Sequence, residues 1–267
     1  MSAMRTMPVF QRITSLVLGL YAFSTTLAIL TVSGLLPLHF PFTPVNIILA
    51  FAFGIMHAGQ RLGWSRSVLL VLFVFLMGLA FESVGVATGL IYGPYHYTDQ
   101  LGAKFLGLVP YIIPIAWFMM IYPSYVIAER LSSNMKPNFR RFLVIAAVGG
   151  LVMTAWDLAM DPLMVRSGNW VWDGPGAYFG VPVQNYLGWW LTAFVALAIF
   201  QPMPRQNEIT RNRPIPDLWI VILYGITGLS TIIMDFIIDL PGPALVGFFA
   251  MAPWILFFWF SRSKQII

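Results

Sequence analysis

Residues 67–90 read SVLLVLFVFLMGLAFESVGVATGL, an almost unbroken apolar run with one charged side chain, Glu82. About 20 consecutive apolar residues suffice to cross the hydrocarbon core of a bilayer as a helix. Similar runs recur along the chain and predict spans at 13–35, 44–60, 67–90, 106–129, 141–160, 184–200, 217–239 and 243–260. The pattern predicts an all-α, polytopic membrane helical bundle of about eight transmembrane helices, with residues 1–267 forming a single membrane domain.

The composition supports a membrane protein. Hydrophobic residues make up 59% of the 267 residues and charged residues only 9%, whereas soluble domains carry roughly 25% charged residues. The chain has no cysteine, which excludes disulfides, thiolate metal sites and cysteine nucleophiles. The first apolar segment follows Arg5 and Arg12 as a signal sequence would, but it lacks a convincing small-residue cleavage site. We therefore expect it to stay as a helix.

Lysine and arginine predict the orientation in the cell membrane. Eight spans place both termini on one side, and with cytoplasmic termini 13 of the 15 basic residues fall in cytoplasmic segments. Those residues are Arg5, Arg12, Arg61, Arg66, Arg130, Lys136, Arg140, Arg141, Arg205, Arg211, Arg213, Arg262 and Lys264. Only Lys104 and Arg166 remain outside. The net charge of +5 thus reflects membrane orientation, and we expect no nucleic-acid partner.

Two non-cytoplasmic loops suggest an internal repeat. Glu82 precedes Gly93 by 11 residues, and Asp157 precedes Gly168 by the same 11. At this offset Tyr95 and Tyr97 correspond to Trp170 and Trp172; after a small slip, Gly107, Pro110 and Trp117 correspond to Gly180, Pro182 and Trp189. We therefore predict a parallel repeat of helix pairs 3–4 and 5–6, with units at about 67–130 and 141–200.

Five acidic residues lie in the predicted outer ends of three helices. They are Glu82, Asp157, Asp161, Asp235 and Asp239. A carboxylate within the bilayer costs at least about 2.5 kcal/mol, so such residues are candidates for function. Low-dielectric surroundings favour the neutral acid, which can donate a proton, and the four-residue spacing of each Asp pair places both side chains on one helix face.

Glycines share the helix face of Glu82. Gly78, Gly85 and Gly89 recur at helical spacing along the third span. Small residues let a neighbouring backbone or a flat ligand approach closely. We therefore expect a tight contact beside Glu82.

Other chemistries find less support in the sequence. The three histidines, His39, His57 and His96, are too scattered for a membrane di-iron oxygenase, although His96 in the first aromatic loop is a candidate proton relay. No phosphate-binding loop or nucleophile elbow is evident. The two Asp-x-x-x-Asp patterns are similar to those of intramembrane Mg-dependent prenyltransferases, but the longer Asn-Asp-x-x-Asp motif and the cationic diphosphate partners of that class are missing. We expect no metal site.

Several motifs together resemble the bacterial and archaeal carotenoid biosynthesis membrane family that contains the carotenoid hydratases. The resemblance covers roughly residues 67–260 and is carried by Phe81-Glu82, Gly89, Tyr92-Gly-Pro-Tyr-His-Tyr97, Ala155-Trp-Asp-Leu-Ala-Met-Asp-Pro162, Gly168-Asn-Trp-Val-Trp-Asp173 and Pro182-Val-Gln-Asn185. It implies addition of water to the terminal double bond of an acyclic carotenoid, giving a tertiary alcohol. This reaction involves no redox change, so we expect no cofactor. It also implies partnership with a lipophilic carotenoid, the lipid bilayer and other carotenoid biosynthesis enzymes.

The same helix-pair pattern is similar to that of the small-subunit lycopene cyclases, which carry a Pro-x-Glu-Glu helix start. Here the corresponding places read Pro110-Tyr-Ile-Ile and Pro182-Val-Gln-Asn, and the missing acids favour hydration over cyclisation. Both reactions begin by protonating a terminal alkene to a tertiary carbocation. They differ in whether water or a neighbouring double bond captures it.

The resemblance leads to a hypothesis for the site between helices 3, 5 and 7. Asp157 or Glu82 donates the proton, and Asp235 deprotonates the attacking water with help from His96 or Asn185. Asp161 and Asp239 support these acids. The substrate-binding aromatic residues, some of which stabilise the cation through their π faces, are Tyr92, Tyr95, Tyr97, Trp170 and Trp172.

Two other classes remain open at this stage. A carotenoid-binding or lipid-binding membrane protein would use the same aromatic pocket but would not need acids on three helices. A proton-coupled transporter would use intramembrane carboxylates, but it more often has inverted repeats and broken helices at mid-membrane. The acids and the parallel pattern predicted here favour the enzyme.

Overall fold

Eight helices form the protein in the computed structural model, which describes residues 8–202 and 215–263. They are α1 (Val9–Val32), α2 (Phe42–Leu62), α3 (Trp64–Thr88), α4 (Ile112–Leu131), α5 (Phe139–Arg166), α6 (Val183–Phe200), α7 (Leu218–Ile237) and α8 (Pro241–Ser263). All eight are long and apolar enough to cross a membrane, which confirms the predicted all-α polytopic bundle. Five residues of the orientation argument lie outside the described residues: Arg5, Arg205, Arg211, Arg213 and Lys264.

The fourth helix is the centre of the bundle. Helix α4 is buried along most of its length and packs against α2, α3, α5, α7 and α8. The outer helices α1, α3 and α8 instead expose many leucine and phenylalanine side chains, such as Leu16, Leu76 and Phe249. An exposed apolar belt is suited to lipid, because hydrocarbon tails replace the protein contacts that these side chains lack.

The predicted start of the fourth helix is wrong by six residues. We expected the span to begin at 106, but α4 begins at Ile112. The intervening residues form a small hairpin in which β2 (Lys104–Phe105) pairs with β3 (Val109–Pro110). Leu106 and Gly107 take positive φ angles of 51° and 73° at its turn. Hydropathy cannot separate this apolar hairpin from the helix that follows it.

The fifth helix continues past its predicted end because a side chain replaces a lost backbone hydrogen bond. We expected the span to end near 160, before Pro162, yet α5 runs to Arg166. A proline inside a helix leaves the carbonyl four residues earlier without its usual donor. Here the Tyr178 hydroxyl donates to the Leu158 carbonyl at 2.9 Å. The last turn of α5, which follows Asp161, is therefore kept helical.

The two aromatic loops meet across the end of the bundle. Strand β1 (Tyr95–Tyr97) pairs antiparallel with β4 (Trp170–Trp172), so that Tyr95 lies opposite Trp172 and Tyr97 opposite Trp170. The Trp117 and Trp189 rings stack with their centroids 4.4 Å apart. Both contacts join corresponding parts of the two predicted repeat units, as a local twofold axis between the units would require. The internal repeat itself, with its units at 67–130 and 141–200, remains a prediction.

The opposite end is held by ionic contacts. Arg61 at the end of α2 bonds Glu129 of α4 at 2.8 Å and Asp217 before α7 at 2.6 Å. His57 Nδ1 lies 2.7 Å from the Tyr122 hydroxyl. These contacts join α2, α4 and α7 far along the bundle from the aromatic loops. His57 is thus a buried packing residue of this end.

Candidate functional site

A cavity of about 160 Å³ lies beneath the paired aromatic loops. Its lining includes Glu82, Asp161, Asn185, Tyr92, Tyr95, Tyr97, Trp170 and Trp172, all of them sequence-predicted site residues. Further lining side chains come from α1, α2, α4 and α7. An engineered apolar cavity of similar size, about 150 Å³, binds benzene. The cavity therefore suits one end of an elongated hydrocarbon rather than a whole carotenoid.

Three hydrogen-bond donors converge on Glu82. The Tyr95 and Tyr97 hydroxyls both donate to Oε2, the second at 2.8 Å, and Trp117 Nε1 donates to Oε1 at 2.9 Å. The side chain of Glu82 is only 2% exposed. A carboxylate is an acceptor only, so the three donors stabilise the ionised form of Glu82 against the cost of burying its charge.

The tyrosine donors keep their protons. The pKa of Tyr95 and Tyr97 is raised well above the ordinary value of 10.0, mainly by burial and to a smaller extent by the nearby Glu82 carboxyl. Both hydroxyls consequently remain donors across the pH range in which proteins work.

Glycines beside Glu82 accommodate aromatic rings of the protein itself. A Cβ at Gly85 on α3 or at Gly188 on α6 would overlap the Tyr92 ring, which lies between them. The Tyr92 hydroxyl lies 2.8 Å from Thr192 Oγ1. Gly78 packs closely against the Trp117 ring. A close approach therefore occurs, but its partners are the Tyr92 and Trp117 rings rather than the backbone or flat ligand that the glycine spacing led us to expect.

Asp157 and Asp161 form a carboxyl pair with a single amide partner. Asn185 Nδ2 donates to Oδ2 of both residues, to Asp157 at 3.2 Å. Because this shared amide holds two buried carboxyl groups side by side, their mutual repulsion if both were ionised favours a proton on one of them. Both are almost fully buried, but only Asp161 lines the cavity. The pair therefore presents an acidic proton to the cavity through Asp161.

The aromatic side chains form a cage over these carboxyl groups. Tyr95 stacks on Trp172 with a centroid distance of 5.6 Å, and Tyr97 meets Trp170 edge to face at 5.6 Å. All four rings line the cavity. The negative faces of such rings attract a cation, with about 2 kcal/mol gained per desolvated contact.

Besides Asp157, three predicted residues lie away from the cavity lining. Asp235 is fully buried on α7, and neither of its carboxyl oxygens has a hydrogen-bond partner among the described residues. Asp239 follows α7 with a φ of 61° and is exposed. His96 is exposed on β1, where Nδ1 lies 3.0 Å from Asp173 Oδ1. Their catalytic roles remain predictions without a contact to the cavity.

Sequence reasoning missed several cavity residues. Trp117, Trp156 and Trp189 all line the cavity, although the sequence marked Trp117 and Trp189 only as repeat positions and Trp156 only as part of a family motif. The sequence did offer a signal for them. Tryptophan is enriched at membrane interfaces, so a tryptophan inside a span is a candidate site residue. The cavity residues of α1 and α2, such as Tyr21 and Asn46, carried no comparable signal.

Metal-binding geometry is absent from residues 8–202 and 215–263. In these ranges no group of three or more His, Cys, Asp and Glu side chains could hold a metal ion.

Comparison of the sequence with known proteins identifies a family and a relative. The chain matches a family model described as carotenoid biosynthesis protein over residues 42–253. A relative from Haloarcula japonica, named bisanhydrobacterioruberin hydratase, is 35% identical over 136 residues, which cover 51% of this chain and 45% of the relative. The match thus spans less than half the length of that relative. No solved structure matches. Since the family model covers most of the chain, including the acids and both aromatic loops, this protein belongs to the carotenoid biosynthesis protein family.

Proposed function

We propose that the protein adds water to the terminal double bond of an acyclic carotenoid end group and produces a tertiary alcohol. One observation carries this proposal: a buried carboxyl pair, held by Asn185, opens through Asp161 onto a cavity caged by aromatic rings. Acid-initiated hydration needs a proton donor beside a place where a carbocation is stabilised. The name of the Haloarcula japonica relative, a hydratase, supports the same reaction.

Asp161 is the proton donor in this proposal. It lines the cavity, while Asn185 holds both its carboxyl group and that of the buried Asp157 in place. Transfer of the proton to the terminal alkene forms one C–H bond and leaves a tertiary carbocation. Glu82 is the weaker candidate, since three donors favour its ionised form.

The carbocation forms beside the aromatic cage and the Glu82 carboxylate. The ring faces and the fixed negative charge both stabilise it, and the charge is effective because little water surrounds it. A water molecule then forms the C–O bond, and the resulting oxonium ion loses a proton to the carboxylate of the Asp157–Asp161 pair. Alkene and water are converted to alcohol, and the acid is restored.

The dimensions of the cavity favour end-group recognition within the membrane. It accommodates a group of about benzene size, so the polyene extends from it into lipid. Most basic residues of the described ranges, such as Arg61 and Arg130, lie at the end opposite the cavity, and only Lys104 and Arg166 lie at the cavity end. By the positive-inside rule, we infer that the cavity lies toward the non-cytoplasmic side and that both termini are cytoplasmic.

Expression in a host that makes an acyclic carotenoid tests the proposal. We expect mass spectrometry of the extracted pigment to show the gain of one water for each modified end. Pigment of unchanged mass and altered absorption would indicate a cyclase, and pigment unchanged in both would indicate binding without catalysis. A gain of one isoprenoid unit would indicate a prenyltransferase. Each of these three results would contradict hydration.

A further inference from the structure

The cavity has a second polar surface that the proposed proton transfer does not use. Tyr21 on α1, Asn46 on α2 and Ser230 on α7 all line the cavity, and these three helices pack against one another. We call these three residues the acceptor wall. None of them belongs to the carboxyl pair or to the aromatic cage described above.

The hydroxyl groups of this wall donate their protons in hydrogen bonds within the protein. Thr227 Oγ1 donates its one proton to the Leu223 carbonyl at 2.9 Å. In the 2.8 Å contact between Tyr21 and Thr227, the tyrosine hydroxyl is therefore the donor. Ser230 Oγ donates to the Thr227 carbonyl at 2.8 Å. A hydroxyl has one proton and two lone pairs. The Tyr21 and Ser230 oxygens are therefore left as acceptors.

Asn46 adds a third acceptor. Its Oδ1 is buried and has no hydrogen-bond donor among the described residues. Burial of an amide oxygen without a donor costs free energy, and a ligand that brings a donor removes that cost. The wall is thus suited to a molecule with O–H groups, whereas a hydrocarbon has no donor for these acceptor oxygens.

We propose that the acceptor wall binds the water molecule that captures the carbocation, an inference that rests on the proposed hydration. A water that donates one hydrogen to the wall has a lone pair free to attack the cation. Its second hydrogen passes, once the C–O bond has formed, to the carboxylate of the Asp157–Asp161 pair. The alcohol retains the hydrogen that is bonded to the wall, so atoms and charge balance.

This assignment separates two steps that share one cavity. Protonation depends on the carboxyl pair, whereas capture depends on Tyr21, Asn46 and Ser230. If water does not capture the carbocation, the cation returns to the alkene when a neighbouring carbon loses a proton to the carboxylate of the Asp157–Asp161 pair. In D₂O, the recovered carotenoid then carries deuterium at its end group.

The test compares membranes containing the wild type, Ser230→Ala, and the double variant Tyr21→Phe with Asn46→Leu. Each is incubated in D₂O with an acyclic carotenoid, and mass spectrometry measures both the alcohol and the deuterium in the recovered substrate. Thr26→Val is the matched control, because Thr26 lies on α1 with its side chain exposed and its hydroxyl bonded to Ala22.

We expect the double variant to form about tenfold less alcohol while deuterium exchange persists at or above the wild-type rate. Ser230→Ala should show the same separation with a smaller loss, and Thr26→Val should match the wild type. Unchanged alcohol, or an equal fall of alcohol and exchange in Ser230→Ala, would overturn the role of the wall. Lack of alcohol with the wild type would instead overturn the hydration itself.

Discussion

Glu82 and Asp157 occupy equivalent places in the predicted repeat, yet their surroundings differ in kind. Glu82 receives three donors from Tyr95, Tyr97 and Trp117. Asp157 is paired with a second carboxyl group and receives one amide donor. The first arrangement stabilises a negative charge, and the second retains a proton. The comparison indicates how two similar acids can take separate roles, Glu82 as the charge stabiliser and Asp157 as the partner of the proton donor Asp161.

The largest effect is expected for Asp161→Asn. Asparagine cannot protonate an alkene, but it retains the shape and can still hydrogen-bond the neighbouring carboxyl group. We expect alcohol formation to fall by at least about a hundredfold, with little change in the thermal stability of the detergent-solubilised protein. Product yield and melting temperature are the two measurements. Asp99→Asn, which changes an exposed carboxylate outside the cavity, is the matched control. An Asp161→Asn variant with wild-type yield would remove Asp161 from the mechanism.

Glu82→Gln should have a smaller effect on the reaction and a larger one on stability. The amide removes the charge that stabilises the cation, and its NH₂ group faces side chains that are themselves donors. We expect about a tenfold to hundredfold loss of alcohol together with a lower melting temperature. Loss of activity without loss of stability would indicate that the three donors do not depend on an ionised Glu82.

Trp117→Phe tests one donor of this arrangement. The substitution removes the 2.9 Å bond to Oε1 but keeps a ring against Gly78 and Trp189. A hydrogen bond to a charged group contributes about 1.5–3 kcal/mol, part of which the reaction loses. We expect alcohol yield to fall about threefold to tenfold. A yield equal to that of the wild type would mean that the tryptophan only fills space.

Tyr178→Phe should have the smallest effect. It removes the hydroxyl that bonds the Leu158 carbonyl and leaves this backbone acceptor without a donor beside Pro162. We expect a destabilisation of about 1 kcal/mol, measured as a lower melting temperature, and about a twofold loss of yield because the turn carrying Asp161 becomes less fixed. An unchanged melting temperature would show that the carbonyl does not need this partner.

The sequence predicted the parts of this comparison that lie in local patterns. The shared offset from Glu82 and Asp157 to their aromatic loops placed Tyr95 and Trp172 in one region, and the structure pairs them directly. Hydropathy located all eight helices. The roles predicted for the acids remain untested, and the geometry now favours Asp161 over Asp157 as the residue that reaches the cavity.

Contacts between distant helices could not be predicted. Tyr21 meets Thr227 across 206 positions of sequence, and no periodicity specifies which faces of α1 and α7 will meet. The helical continuation through Pro162 likewise depends on Tyr178, which lies in a separate loop. Local propensity describes what each segment favours alone, whereas these features arise from packing between segments.

The most direct test of acid-initiated hydration is isotopic. Membranes containing the wild-type protein are incubated with an acyclic carotenoid, once in D₂O and once in water enriched in oxygen-18, and the alcohol is analysed by mass spectrometry. Hydration by proton transfer and water capture predicts at least one carbon-bound deuterium and one oxygen-18 per modified end. An alcohol that carried no carbon-bound deuterium, or whose oxygen came from a source other than water, would contradict the account.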